Sequence, residues 1–242
     1  MASKVSSWED ISALKRVFYN DLIEGLESIE PRPGFLKVFR EITDMGLGVA
    51  IASLTPRGQA EILLERSGVG KLFQSDRILL EDSVDKERLK PHPDVYILAA
   101  KRLGVDQKKM LVFEDSMNGI LAALAAGCRV IAMPIYTFRA NIKDLENAGA
   151  LKIFSSWEDV DIKAILAELG DIEAIAFDME GPILNVEDKH FEASRLAALE
   201  VGVVFDPVNT AEDIASKIHG AIGGGNKLIS QGIWRLAGGL VE

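Results

Sequence analysis

Between Phe35 and Phe154, helical patterns alternate with short apolar runs at Leu47–Ala52, Arg77–Leu80, Met110–Phe113, Arg129–Met133 and Leu151–Phe154. A sixth run, Ala174–Phe177, follows one more helical stretch at Asp161–Leu169. Runs this short, separated by helix-length segments, read as strands of a mostly parallel sheet with helices on its faces. The pattern therefore predicts an α/β, Rossmann-like core. In such sheets ligands bind beyond the carboxyl ends of the strands. The residues just past the runs are Ser53, then Glu114 with Asp115, and then Asp178. Any one of them alone could be a turn former or a helix cap, but together they place polar groups along one edge.

The flanks have a different rhythm. In Trp8–Leu26 the residues Ile11, Leu14, Phe18 and Leu22 form one apolar face of a helix, with Ser7 as its N-cap. Glu30-Pro31-Arg32-Pro33-Gly34 breaks that pattern and marks a boundary. Beyond Pro182 the chain turns helical again, with Phe191, Leu196, Leu199 and Val201 as its apolar positions. Gly223-Gly224-Gly225 reads as a loop between helices, since no Gly-Lys-Ser or Gly-Lys-Thr follows and no strand precedes it. The expected division is a core at residues 31–185 and a smaller helical part made from residues 1–30 and 186–242. Ser-Ser-Trp-Glu-Asp occurs at Ser6–Asp10 and again at Ser155–Asp159 without flanking similarity, so it is recurrent helix-start chemistry and not a repeat.

Composition limits the function classes. A chain of 242 residues, 48% hydrophobic, can bury a large core without disulfides. The net charge of −10 and the sequence pI near 4.9 argue against a nucleic-acid partner, which would need a clustered basic surface. Cys128, the one cysteine, precedes an apolar run and is expected to be a packed core residue. No apolar stretch approaches the roughly 20 residues of a membrane span, and Met1–Asp10 lacks a signal-peptide layout. A cytoplasmic location with no membrane partner is the expectation.

The strand-end residues have the chemistry of phosphoryl transfer. In Ile-Ala-Phe-Asp-Met-Glu-Gly, Asp178 can attack while Glu180 handles a proton, and Gly181 permits a tight turn. Bringing Glu114-Asp115-Ser116 beside Asp178 would crowd three carboxylates, which calls for a cation. Oxygen ligands favour Mg²⁺. Lys90 in Leu-Lys-Pro-His-Pro-Asp offers a fixed positive charge, and Ser53 offers a donor for phosphate oxygens.

These segments resemble the four motifs of the haloacid dehalogenase-like hydrolases, close to their phosphatase and β-phosphoglucomutase branch. Phe-Asp-Met-Glu-Gly is similar to motif I, Ile-Ala-Ser-Leu-Thr-Pro-Arg to motif II, Leu-Lys-Pro-His-Pro-Asp to motif III, and Val-Phe-Glu-Asp-Ser-Met-Asn-Gly to motif IV. The resemblance implies a helical cap over the core and an aspartyl-phosphate intermediate on Asp178. It also implies Mg²⁺ held by Asp178, Asp115 and the Glu180 backbone carbonyl, with Glu114 assisting through water. Ser53 and Lys90 would bind the phosphoryl group of a small phosphorylated metabolite. His190 would contact the substrate or the proton-shuttling residue, while Asn226 and Lys227 read as surface residues.

Two departures stand out. Motif I normally opens the chain, yet here motifs II, III and IV precede it, as a circular permutation cut within the cap would produce. The protein would then be a monomer closing on itself or a domain-swapped homodimer. In addition, glutamate stands at 180 where relatives carry aspartate. The alternatives are therefore a catalytically weakened phosphate-ester binder or a β-phosphoglucomutase-like mutase. Dehalogenation needs no metal and fits the carboxylates less well, and phosphonate hydrolysis would need a Schiff-base lysine such as Lys189 or Lys227.

Overall fold

The computed structural model describes residues 5–137, 139–218 and 225–239, side chains excepted at 139, 140, 225 and 226. In chain order the main elements are α1 (Trp8–Glu24), α2 (Phe35–Asp44), β1 (Gly48–Ala52), α3 (Arg57–Ser67), β2 (Ile78–Leu79), α4 (Asp94–Leu103), β3 (Met110–Glu114) and α5 (Met117–Ala125). They continue with β4 (Arg129–Ala132), α6 (Arg139–Ala148), β5 (Lys152–Ile153), α7 (Ile162–Leu169), β6 (Ala174–Phe177), α8 (Glu187–Leu199), α9 (Thr210–Lys217) and α10 (Gly225–Leu236). The chain divides into two compact units, Glu27–Asn185 and a second formed by Met1–Leu26 with Val186–Glu242.

All six apolar runs became strands of one parallel sheet ordered β2-β1-β6-β3-β4-β5. The last strand in sequence is thus central. Ala174 pairs with Gly48 of β1 on one side and with Met110 of β3 on the other, and the register holds through Phe177. Being buried on both faces, β6 reads as a continuous apolar run without polar alternation.

The strand period of two divides the core chemically. On one face Ala50, Ala52, Met110, Val112, Ala174 and Ala176 meet α4 and α5 through Tyr96, Ala99, Ala100, Ile120, Ala122 and Ala123. The alanines on both partners allow helix and sheet to approach closely. On the alternate positions an aromatic cluster forms from Phe35 and Phe39 of α2 with Phe73, Phe113, Trp157 and Phe177. Phe113 and Phe177 stack with centroids 5.6 Å apart and planes 10° off parallel. Two neighbouring strands are thereby clamped just below the residues that follow them.

In the helical unit, Ser7 caps α1 by accepting from the Asp10 amide at 3.3 Å, and the Asp10 carboxylate accepts from the Ser7 amide at 3.1 Å. Helix α1 packs against α8 and α10. Its fully buried stripe is Ile11, Lys15, Tyr19 and Ile23, while Leu14, Phe18 and Leu22 flank it half-buried. The expected face was therefore rotated: the stripe follows i, i+4 steps and includes a lysine and a tyrosine that a hydrophobicity pattern passes over. In α8 only Phe191 of the expected apolar positions is buried. Ala193, Ser194, Ala197 and Ala198 make the inward face and Leu199 is exposed, because small residues let α8 lie close to its partners.

Gly223 and Gly224 lie outside the described residues, and Gly225 opens α10. Lys227 stands over the Trp8 ring at 5.6 Å, a cation–π contact. Cys128 is buried, as core packing requires, and burial pushes its thiol up to about 12. No helix among the described residues is long and apolar enough to cross a membrane.

Truncating Phe177 to alanine should remove one half of the stack and open a cavity beneath the strand end. The expected loss is about 3–5 kcal/mol of unfolding free energy in a denaturant titration. A loss under about 1 kcal/mol would mean that the cluster does not hold β3 and β6 together.

Candidate active site

Because β6 lies between β1 and β3, the residue that follows it falls between the residues that follow those strands. The Asp178 amide donates to the Phe113 carbonyl at 2.9 Å, and the Ser53 amide donates to the Leu79 carbonyl at 2.9 Å. Ser53, Glu114, Asp115 and Asp178 are thereby gathered at one edge of the sheet, as the sequence suggested.

Lys90 is the centre of this group. Its Nζ donates to Asp178 Oδ1 at 2.5 Å, to Glu114 Oε1 at 2.6 Å and to the Ala52 carbonyl at 3.0 Å. All three ammonium protons have acceptors, and the side chain is only 6% exposed. Burial opposes its charge, but Asp178 and Glu114 more than offset that, and its pKa is held above the ordinary lysine value. For Asp178 the balance runs the other way. Burial pushes it up to about 7, with Lys90 pulling down and Glu114 and Glu180 pushing up further.

Glu114 was expected near a metal, assisting through water. Its placement is different: Oε1 accepts from Lys90 and, at 2.7 Å, from the Tyr96 hydroxyl. Oε2 accepts from the amides of Asp115 and Ser116 and from the Ser116 hydroxyl, at 2.9, 3.2 and 3.1 Å. Five donors saturate the carboxylate, so its side chain serves as the buried counter-ion of Lys90. Burial would raise its pKa, yet Lys90 and these hydrogen bonds lower it below the usual value. Gly119 makes the space, since a Cβ there would lie 1.8 Å from the Glu114 carboxyl group.

Glu180 lies on the turn after β6, where its Oε1 accepts from the Thr55 hydroxyl at 2.5 Å. Thr55 is in turn 2.9 Å from the Ser53 hydroxyl. A hydroxyl chain thus joins the expected phosphate-binding serine to the expected proton-shuttling carboxylate. Gly181 adopts φ +93, and a Cβ there would sit 2.3 Å from Asp115 Oδ2. Only glycine lets the Asp115 carboxylate rest against this turn. Among the described residues no three His, Cys, Asp or Glu side chains form a metal-sized cluster by themselves. Any cation would therefore rely on few side chains together with backbone and water oxygens, as Mg²⁺ commonly does.

His190 is placed in the helical unit, stacked on Tyr19 with centroids 4.0 Å apart and planes 4° off parallel. Three residues of the core escaped the sequence reading. Thr55 could have been found as a hydroxyl two residues after Ser53. Tyr96 and Arg32 carried no local signal: the first is in a helix, and the second sits within the segment read only as a breaker.

A model of the haloacid dehalogenase-like hydrolase family matches residues 7–127, half of the chain. The chain belongs to that family. Among curated relatives it is 30% identical over 136 residues to the phosphorylated carbohydrates phosphatase of Thermotoga maritima, covering 56% of this chain and 61% of that one. It is 33% identical over 121 residues to hexitol phosphatase A of Escherichia coli, covering 49% and 54%. The crystal structure of CbbY from Rhodobacter sphaeroides in complex with xylulose-(1,5)bisphosphate superposes with a TM-score of 0.50 at 30% identity, covering 61% of this chain and 62% of that one. The chain therefore spans little more than half the length of these relatives. The family match includes Ser53, Lys90, Glu114 and Asp115 but ends before Asp178.

Replacing Lys90 with methionine leaves two buried carboxylates without their cation, and unfolding measurements should register a loss of about 3–5 kcal/mol. Adding Glu114→Gln to that variant should recover part of the loss, with a coupling of about 1–3 kcal/mol. Strictly additive effects would contradict the bridge. Gly119→Ala, which in an ordinary helix interior would help, should destabilise the protein because the Glu114 carboxylate has nowhere to move.

Proposed function

We propose that the core hydrolyses the phosphate ester of a small phosphorylated metabolite, with Asp178 as nucleophile. The observation that carries this reading is the Lys90 bridge: a buried ammonium at 2.5 Å from a carboxylate that ends the central strand. Lys90 holds Oδ1, so Oδ2 is the attacking oxygen. As the Asp178–phosphorus bond forms, the ester P–O bond breaks and its electron pair leaves on the alcohol oxygen, which takes a proton from Glu180. Water then attacks the phosphorus of the aspartyl phosphate while Glu180 accepts its proton. The Asp178–phosphorus bond breaks, releasing inorganic phosphate and restoring the carboxylate. The Ser53 hydroxyl donates to a phosphoryl oxygen, while Lys90, whose three protons are already committed, stabilises the transferring oxygens through its charge.

The charge balance supports a cation at this edge. With all four ionised, Glu114, Asp115, Asp178 and Glu180 face Lys90 and Arg32 with a formal excess of two negative charges, which burial and repulsion at Asp178 already resist. Asp178, Asp115 and the Glu180 carbonyl would hold Mg²⁺, which when bound supplies charge that keeps Asp178 ionised and neutralises the transferring oxygens. The names of the relatives favour a phosphorylated carbohydrate as substrate. We read the helical unit, which carries His190, as the family's cap. The motif order we read as a circular permutation, since β6 comes last in sequence yet occupies the central place within the same chain.

Hydrolysis of p-nitrophenyl phosphate should need Mg²⁺, stop with EDTA, and fall to background in Asp178→Asn. Glu180→Asp, which shortens the side chain and releases it from Thr55, should raise the rate by up to about 100-fold if an ångström of misplacement limits the proton transfer. An undiminished rate in Asp178→Asn would sink the mechanism. Binding of the ester with no turnover in either Glu180 form would leave the protein a binder.

A further inference from the structure

The segment read from sequence only as a boundary contains an arginine that is 92% buried (8% exposed). Arg32 Nη1 donates to the Gly181 carbonyl at 2.8 Å and the Met133 carbonyl at 2.7 Å, and Nη2 donates to the Ser155 carbonyl at 2.5 Å and the Pro134 carbonyl at 3.4 Å. One guanidinium thus ties the turn after β6 to the segments that follow β4 and β5. Its backbone takes part as well, since the Arg32 amide donates to the Ile183 carbonyl at 2.8 Å and Pro31 bridges Leu184. The Trp157 indole Nε1 donates to the Pro182 carbonyl between them at 2.7 Å. Three consecutive carbonyls, at 181, 182 and 183, are therefore held by Arg32 and Trp157. Glu180 sits immediately before them.

A simple brace would not require a full charge. Carbonyl oxygens satisfy the hydrogen bonds of a buried guanidinium but supply only partial negative charge, and an uncompensated buried cation is costly. Compensation is available at this edge from Asp115, which acts on Arg32 electrostatically and rests against the Gly181 backbone. A lysine could carry the charge but not the planar fork that reaches four carbonyls on three segments.

We propose that Arg32 is the positioning residue of this site: its fork fixes the turn that aims Glu180, and its charge sets how strongly Asp115 and the neighbouring carboxylates attract a divalent cation. The inference rests on the function proposed above and adds a residue that the reading did not use. It makes two separable demands. Removing the charge should strengthen divalent-cation binding, and removing the fork should slow proton transfer.

The test uses Mn²⁺ titrated calorimetrically into the 242-residue chain, alongside p-nitrophenyl phosphate kinetics with Mg²⁺. Arg32→Gln should bind Mn²⁺ about three- to tenfold more tightly than wild type, while kcat per folded molecule falls about 100-fold with KM little changed. Arg32→Lys, which keeps charge without the fork, should bind Mn²⁺ as wild type does and still lose kcat. Trp157→Phe, which removes only the indole bond to Pro182, should lower kcat less than either variant and leave Mn²⁺ affinity unchanged. Arg32→Gln with unchanged or weaker Mn²⁺ affinity, or with kcat falling only in step with the folded fraction, would overturn the proposal and leave the function intact. Wild-type protein that neither binds Mn²⁺ nor turns over the ester would overturn both.

Discussion

A single buried ammonium organises this site. Lys90 lies between Asp178, which ends the central strand, and Glu114, which ends its neighbour, and also reaches the last carbonyl of β1. Three strand ends are thereby joined through one atom. Two carboxylates at such close quarters could not both remain charged in a low-dielectric interior without it. Glu114 could not be spared either: Tyr96, the two amides at the start of α5 and Ser116 hold it as the fixed counter-charge. Desolvation and mutual repulsion push Asp178 up, while the ammonium and its proton donation pull it back.

Around this centre the turn after β6 is built to hold one shape. Gly181 takes a left-handed conformation with Asp115 against it, and Arg32 and Trp157 hold the following carbonyls. The Ser-Ser-Trp-Glu-Asp segment shows how context decides use. At Ser6–Asp10 it caps a helix. At Ser155–Asp159 its tryptophan is buried in the aromatic cluster and donates to the turn, while the first serine's carbonyl receives Arg32. Both copies start a helical turn, since Ser156 accepts from the Glu158 amide at 3.1 Å as Ser7 does from Asp10, but only the second is also a tertiary anchor.

Much of the core was legible because it depends on local pattern. Each of the six apolar runs became a strand, and the polar residue after each of β1, β3 and β6 reached the same edge, because the apolar runs are local and in a parallel sheet every strand ends at the same edge whatever the strand order. The helical faces were read less well. Lys15 and Tyr19 lie on the buried stripe of α1, and alanines, not Leu199, line α8, since which face turns inward is settled by the helices packed against it. The residues missed at the site are those whose decisive partners lie far along the chain. Arg32 meets Gly181 across 149 positions, and Thr55 meets Glu180 across 125. Glu114 was seen as one more carboxylate near a cation, and nothing local revealed that a lysine 24 residues away had already claimed it.

The central claim is that the strand lying last in sequence and central in space delivers a nucleophilic carboxylate. The most direct measurement is chemical trapping: the enzyme is mixed with Mg²⁺ and a phosphate ester, quenched with acid, reduced with tritiated borohydride and mapped by peptide. The account predicts that label falls on Asp178, as the homoserine left by reducing an acyl phosphate. Label on Asp115, Glu180 or any other residue would contradict it.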